Sequence, residues 1–119
     1  NCVVVKATRG DRTWYAVCMI LATTKTDVNG LVRRYLDARR VSFAPMDEAV
    51  ALTGMEYGGI TPVGLPSDWP ILIDKAVFDS PRLIIGSGIR GSKLVVSGVF
   101  FLRLPNAVIL EGLGISKHI

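Results

Sequence analysis

The residues of this chain best fitted to chemistry offer it through their backbone. Gly54, Gly58, Gly59 and Gly64, with Pro62 and Pro66, crowd one stretch ahead of the apolar run Ile71-Leu72-Ile73-Asp74. Glycine at this density belongs where a backbone turns through positive φ or lies against a ligand. A second cluster, Gly86-Ser87-Gly88-Ile89-Arg90-Gly91, follows another apolar run and supplies a matching wall. Together the two loops imply a pocket built from main-chain amides rather than from catalytic side chains.

The side chains that usually drive catalysis are scarce. The single histidine, His118, is next to last, which excludes a catalytic triad, and Cys2 and Cys18 cannot by themselves complete a zinc site. No lysine follows the glycines in a phosphate-binding pattern, and no carboxylate pair has an evident catalytic spacing. Gly86-Ser87-Gly88 leads into a strand instead of a helix, so it is not a dinucleotide-binding turn. No cofactor and no metal are expected. Any reaction must draw on backbone amides and on groups the substrate brings.

Such loops need a rigid scaffold. At 119 residues the chain reads as one domain, 1–119, with one core. Mean hydropathy is high at +0.41, yet no apolar run reaches the ~18 residues of a membrane span. The longest, Ala16 to Ala22, is expected as a buried strand. No membrane partner is expected, and the cytoplasm is the expected compartment, since two cysteines in apolar runs are no secreted disulfide framework. Cys2 and Cys18 are expected as small buried hydrophobes, or as a redox pair if a hairpin brings them together. The net charge of +4 permits a nucleic-acid partner without requiring one. Arg33, Arg34, Arg39 and Arg40 fall on one predicted helix and Lys6, Arg9 and Arg12 around a predicted turn, each cluster a solvated face on the simplest reading.

Cys2–Ala7 and Thr13–Leu21 read as a hairpin closed at Arg9-Gly10-Asp11. A helix follows, capped by Thr26 or Asp27, with Val28, Leu31, Val32, Tyr35 and Leu36 as its apolar stripe. Val41–Ala44 reads as a strand. Pro45 opens a helix through Met46 to Thr53, which Gly54 stops. Ile71–Asp74, Arg82–Ile85, Lys93–Ser97 and Ala107–Leu110 are short strands, and Val99–Leu104 a short helix ending at Pro105. The pattern predicts a mixed α/β domain rather than a doubly wound parallel sheet.

Gly58-Gly59-Ile60-Thr61-Pro62-Val63-Gly64 resembles the Gly-Gly-x-Ser/Thr-Pro-x-Gly signature of the YbaK/proline-tRNA-synthetase-associated domain family. The Leu-Thr-Gly ending of Glu48–Gly54, the run Ile71–Asp74 and the loop Gly86–Gly91 with its Arg-Gly ending fit the same pattern, in order, over essentially the whole chain. The resemblance implies an α+β fold, a mixed and partly barrel-like sheet flanked by helices. It also implies N-terminal helices that are not in this sequence, so the chain reads as a fragment. Its members hydrolyse amino acids wrongly esterified to tRNA, such as cysteine or alanine on proline tRNA, free-standing or within prolyl-tRNA synthetase. That implies a deacylase whose partners are the aminoacylated 3′ end of tRNA and, in some members, prolyl-tRNA synthetase. Small-residue errors are those that binding alone discriminates poorly, which calls for a second hydrolytic site. The alternatives are a tRNA- or synthetase-binding module of the same fold, or a hydrolase of another small acyl ester.

On this resemblance the catalytic candidates are Cys2, Lys6, Gly59, Gly86, Ser87 and Gly88, and the substrate-binding candidates are Gly58, Thr61, Pro62, Gly64 and Arg90. The glycine amides would cradle the ester oxyanion, and water or the substrate's own hydroxyl or thiol would attack. A lysine implied in the first strand falls on Cys2 when the chain is laid without gaps from Gly10-Asp11. Lys6 shares that face but stands roughly 13 Å farther along the strand. Either Lys6 takes over the role after a shift in register, or the role is lost. A position where the family often has an acid is Lys93. Thr61-Pro62 shapes the substrate mouth or starts a turn, Ser87 bonds the ester or caps a turn, and Arg90 attracts RNA or ties its loop to Asp74 or Asp79. Tyr57 and Trp69 stack a terminal base or pack beneath the loop.

Overall fold

Alternating apolar residues fold the start of the chain into a hairpin. Strands β1 (Cys2–Arg9) and β2 (Arg12–Met19) pair from Cys2 opposite Met19 to Arg9 opposite Arg12. Gly10, at φ 58, makes the left-handed step of the turn. Successive side chains point to opposite faces of a strand, so Val5, Ala7, Ala16 and Cys18 enter one core and Val4, Val17 and Met19 the other. The computed structural model describes residues 1–117, and His118 lies outside the described residues.

Three more strands complete the central sheet, β4 (Arg40–Phe43), β5 (Ile71–Asp74) and β8 (Ala107–Leu110), in the order β4-β1-β2-β5-β8. β4 runs antiparallel to β1, while β5 lies parallel to both β2 and β8. Every residue of β5 is buried, with Leu72 in the first core and Ile71 and Ile73 in the second. A central strand covered on both faces reads as one unbroken apolar run. The architecture is the expected mixed α+β one. Short ribbons join β3 (Thr24–Thr26) to β9 (Gly114–Ser116) and β6 (Leu83–Gly86) to β7 (Lys93–Val96).

Helical segments cover both faces. A π-helical turn, Val28–Val32, runs into a single α-helical turn, α1 (Arg33–Tyr35), and buries Val28 and Val32. Asp27 is the cap, accepting from the amides of Gly30 and Leu31 at 3.1 Å each. The Val32 amide donates five residues back to Asp27 O at 3.1 Å. That wider turn shifts later residues off a 3.6-residue stripe, which is why Tyr35 is exposed although its spacing predicted burial. The helix is also shorter than expected, so Arg39 and Arg40 leave it, and Arg40 opens β4.

On the other face lie α2 (Met46–Thr53), α3 (Lys75–Phe78) and the 3-10 helix Gly98–Arg103, burying Ala49, Val77 and Phe101. Pro45 precedes α2 and Gly54, left-handed at φ 69, ends it, as the sequence predicts. Cys2 and Cys18 are free and pack against opposite faces of the sheet, so the hairpin does not make them a redox pair. Among the described residues, no helix is long and apolar enough to cross a membrane.

Candidate functional site

The two glycine loops meet backbone to backbone. The Glu56 amide donates to Gly88 O at 3.0 Å, and the Gly88 amide returns to Gly59 O at 2.7 Å. A Cβ on Gly59 would stand 2.5 Å from the Ile89 carbonyl carbon, and one on Gly86 would stand 2.5 Å from Ile60 O. Only glycine permits this approach at either position. The Glu56 side chain ties the loops again by accepting from the Arg90 amide at 3.2 Å. Each such bond contributes on the order of 1 kcal/mol net, so the loops hold one another as a unit.

Beside this junction lies a cleft of about 480 Å³, walled by Cys2, Val3 and Met19 from the hairpin, Tyr57, Gly58 and Ile60 from the first loop, and Ile84, Gly86 and Lys93 from the β6–β7 ribbon. Lys93 stands opposite Gly86 in the register and donates from Nζ to Gly58 O at 2.7 Å. The result is a cation directed to a wall of mixed polar and apolar character, beside backbone that carries no side chains. Cys2 is half-buried there, and desolvation pushes its thiol up to about 12. It is therefore a neutral thiol at physiological pH and a poor nucleophile.

The sequence model of the aminoacyl-tRNA editing domain matches residues 1–104. The chain belongs to the aminoacyl-tRNA editing domain family. Its fold recurs in solved structures. A crystal structure of the hypothetical protein APE2540 superposes with a TM-score of 0.82 at 20% identity, covering 96% of this chain and 72% of that one. A structure from work on grafting epitope backbones onto scaffold proteins gives 0.79 at 17% identity, covering 100% and 71%. A proposed trans-editing enzyme for prolyl-tRNA synthetase gives 0.78 at 20% identity, covering 93% and 67%. Among curated proteins, none shows significant sequence similarity to the chain.

Of the residues singled out in the sequence, this editing domain brings Cys2, Gly58 and Gly86 to the cleft wall. Gly59 and Gly88 build the junction behind it, but their amides are already engaged, Gly59 with Glu56 O at 2.9 Å and Gly88 with Gly59 O. The expectation that these two amides cradle an ester is thereby corrected. Ser87 Oγ lies 2.5 Å from Ser92 Oγ and 3.0 Å from Ser92 O, closing its own loop. Thr61 and Pro62 are buried beneath the first loop rather than placed at a mouth. Thr61 donates its amide to Met55 Sδ at 3.4 Å, and Gly64, left-handed at φ 83, turns the chain above Met55.

Lys6 lies away from the cleft. Its Nζ sits 2.9 Å from Glu48 Oε1, supplied by the first turn of α2, and the Tyr15 hydroxyl donates to the same oxygen. The hydrogen bond to Glu48 raises the Lys6 pKa, while the bonds from Tyr15 and then Lys6 lower that of Glu48. Arg90 presents its backbone to Glu56, whereas Asp79 pairs with Lys75 at 2.6 Å and Asp74 is buried near Gly114, so neither acid holds the loop. Trp69 is buried and stacks on Tyr15 at 5.4 Å, which leaves Tyr57, 59% exposed at the cleft, as the open aromatic face. In the sequence Lys93 stands out only as a departure from the family pattern. Its position opposite a glycine across a short hairpin was the signal that could have placed it.

Proposed function

We propose that the chain is a cofactor-free aminoacyl-tRNA deacylase that removes a small amino acid, alanine or cysteine, wrongly esterified to proline tRNA, and that the cleft beside the junction of the glycine loops is where hydrolysis occurs. The observation that carries this reading is the ammonium of Lys93, fixed by Gly58 O at 2.7 Å on the wall of that cleft. The ammonium has three donors, so two remain for a substrate. Water adds to the ester carbonyl carbon and the carbonyl oxygen takes up negative charge, which Lys93 and the adjoining Gly58 and Gly86 backbone stabilise. The bond to the ribose oxygen then breaks and that oxygen takes a proton from the attacking water, giving free amino acid and a 3′-hydroxyl. Ile60 and Ile84 line the cleft and offer apolar surface to a small acyl side chain, and Tyr57 offers a stacking face for the terminal adenine.

On this reading the partner is the tRNA 3′ end, prolyl-tRNA synthetase is the enzyme whose errors are cleared, and the place of action is the cytoplasm. The test is deacylation of alanyl- and cysteinyl-tRNA charged on proline tRNA. Hydrolysis well above buffer by the wild type, and loss of that excess in Lys93→Ala, is expected. Rates no faster than buffer overturn the reading. A preserved gel shift in that case supports a binding module without hydrolysis, a reading favoured by Cys2 standing where the resemblance implies a lysine.

A further inference from the structure

Charge that the cleft does not use is gathered at the β4 edge of the sheet. A groove of about 670 Å³ lies there, lined by Arg33, Arg39 and Arg40 with Lys6, Thr8 and Phe43, and no carboxylate is among its lining residues. Glu48 compensates Lys6 at 2.9 Å and Asp37 sits 3.7 Å from Arg9, so the groove's uncompensated charge is that of its arginines. Arg33, Arg39 and Arg40 are exposed, and among the described residues none of them forms an ion pair.

Their placement is built. Asp37 takes a left-handed φ of 52, which reverses the chain between α1 and β4. The buried Ala38 donates to Arg33 O at 3.1 Å, and the Arg39 amide donates to Thr8 O at 2.9 Å. Arg33 Nε is held by Asn29 O at 3.0 Å. Phe43, in the same groove, is 60% exposed. Forked guanidinium groups suit phosphate oxygens, and a positive groove with an open aromatic face suits a nucleic-acid strand. Strand β1 joins the two sites, with Cys2 and Val3 in the cleft and Lys6 and Thr8 in the groove, about 13 Å apart from Cys2 to Lys6 at ~3.3 Å per residue.

We propose that this groove binds the phosphate backbone of the tRNA substrate close to its 3′ end, with Arg33, Arg39 and Arg40 as phosphate ligands and Phe43 as a stacking face. The proposal rests on the editing reading for the identity of the RNA, but its test does not depend on hydrolysis. Binding of the full chain to uncharged proline tRNA is measured by fluorescence anisotropy across roughly 50 to 200 mM salt. The variant carrying Arg33→Gln, Arg39→Gln and Arg40→Gln is expected to bind at least tenfold more weakly. Its salt slope should be shallower by about one unit for each phosphate that is no longer neutralised. Hydrolysis of a minimal aminoacyl-nucleoside ester, too short to reach the groove, should be unchanged. Arg40→Gln alone, expected to show a partial loss, serves if the triple variant melts early.

Wild-type affinity and slope in the folded variants overturn the groove even where the wild type deacylates tRNA, and an acidic protein surface then becomes its occupant. A wild type that binds tRNA through these arginines but hydrolyses nothing supports the groove and rejects the deacylase reading alone.

Discussion

Lys93 reaches the carbonyl of Gly58 from the far strand of a hairpin, which directs its ammonium to the cleft wall. Loss of a preorganised donor to an oxyanion typically costs about 10²–10³ in rate. Lys93→Ala is expected to lower kcat for deacylation by that order, with Lys93→Arg recovering part of it. Cys2 makes the opposite prediction. Because burial holds its thiol near 12, it carries no thiolate at neutral pH, and Cys2→Ala should leave the shape of the pH–rate profile from about pH 6 to about pH 9 unaltered. An inflection that vanishes with the thiol would contradict this. The glycines were legible in the sequence because their density has few other causes. Lys93 was not, since its contact spans 35 residues and depends on the pairing of β6 with β7.

The two loops act as one element, and their glycines separate into those that touch and those that do not. Alanine at Gly59 or Gly86 would press a methyl group against backbone at 2.5 Å, whereas at Gly91 it would meet nothing within 4 Å. Gly59→Ala and Gly86→Ala should each destabilise by about 1–3 kcal/mol and raise KM for aminoacyl-tRNA, while Gly91→Ala should be close to neutral in both thermal melts and kinetics. Equal behaviour of all three would mean that the loops do not interlock. The elements bearing these loops were mostly readable, with the hairpin, α2 and β5 where periodicity and capping put them. The short polar β3 and the single-turn α3 were missed because three or four residues carry no measurable period. The helix after Asp27 was overextended because the spacing of its apolar residues hides a π turn.

At the scale of the molecule, the Lys6–Glu48–Tyr15 cluster ties the hairpin to α2 and shapes how stability varies with pH. Glu48 titrates below its ordinary value in the fold, so its contribution is present above the usual carboxylate range and is lost as pH falls through the lowered value. Lys6 and Tyr15 titrate above theirs, so their contributions persist to alkaline pH and are lost only as pH rises through the raised values. Melting temperature should therefore form a plateau between about pH 5 and about pH 9. Glu48→Gln should flatten its acid edge, and an unchanged edge would show that the cluster does not set it. The sequence shows the mixed α+β layout through its alternation of strands and helices, but not which residues share a cavity. Lys6 and Cys2 occupy the same face of β1, yet only Cys2 meets the glycine loops. The proposed deacylation requires the ester to lie in the cleft beside those loops. Backbone NMR of the chain titrated with a non-hydrolysable 3′-alanylamino-adenosine tests it most directly. Saturable shifts at Gly58, Gly86 and Lys93, abolished by Lys93→Ala, are the predicted result, and shifts that bypass these residues would contradict it.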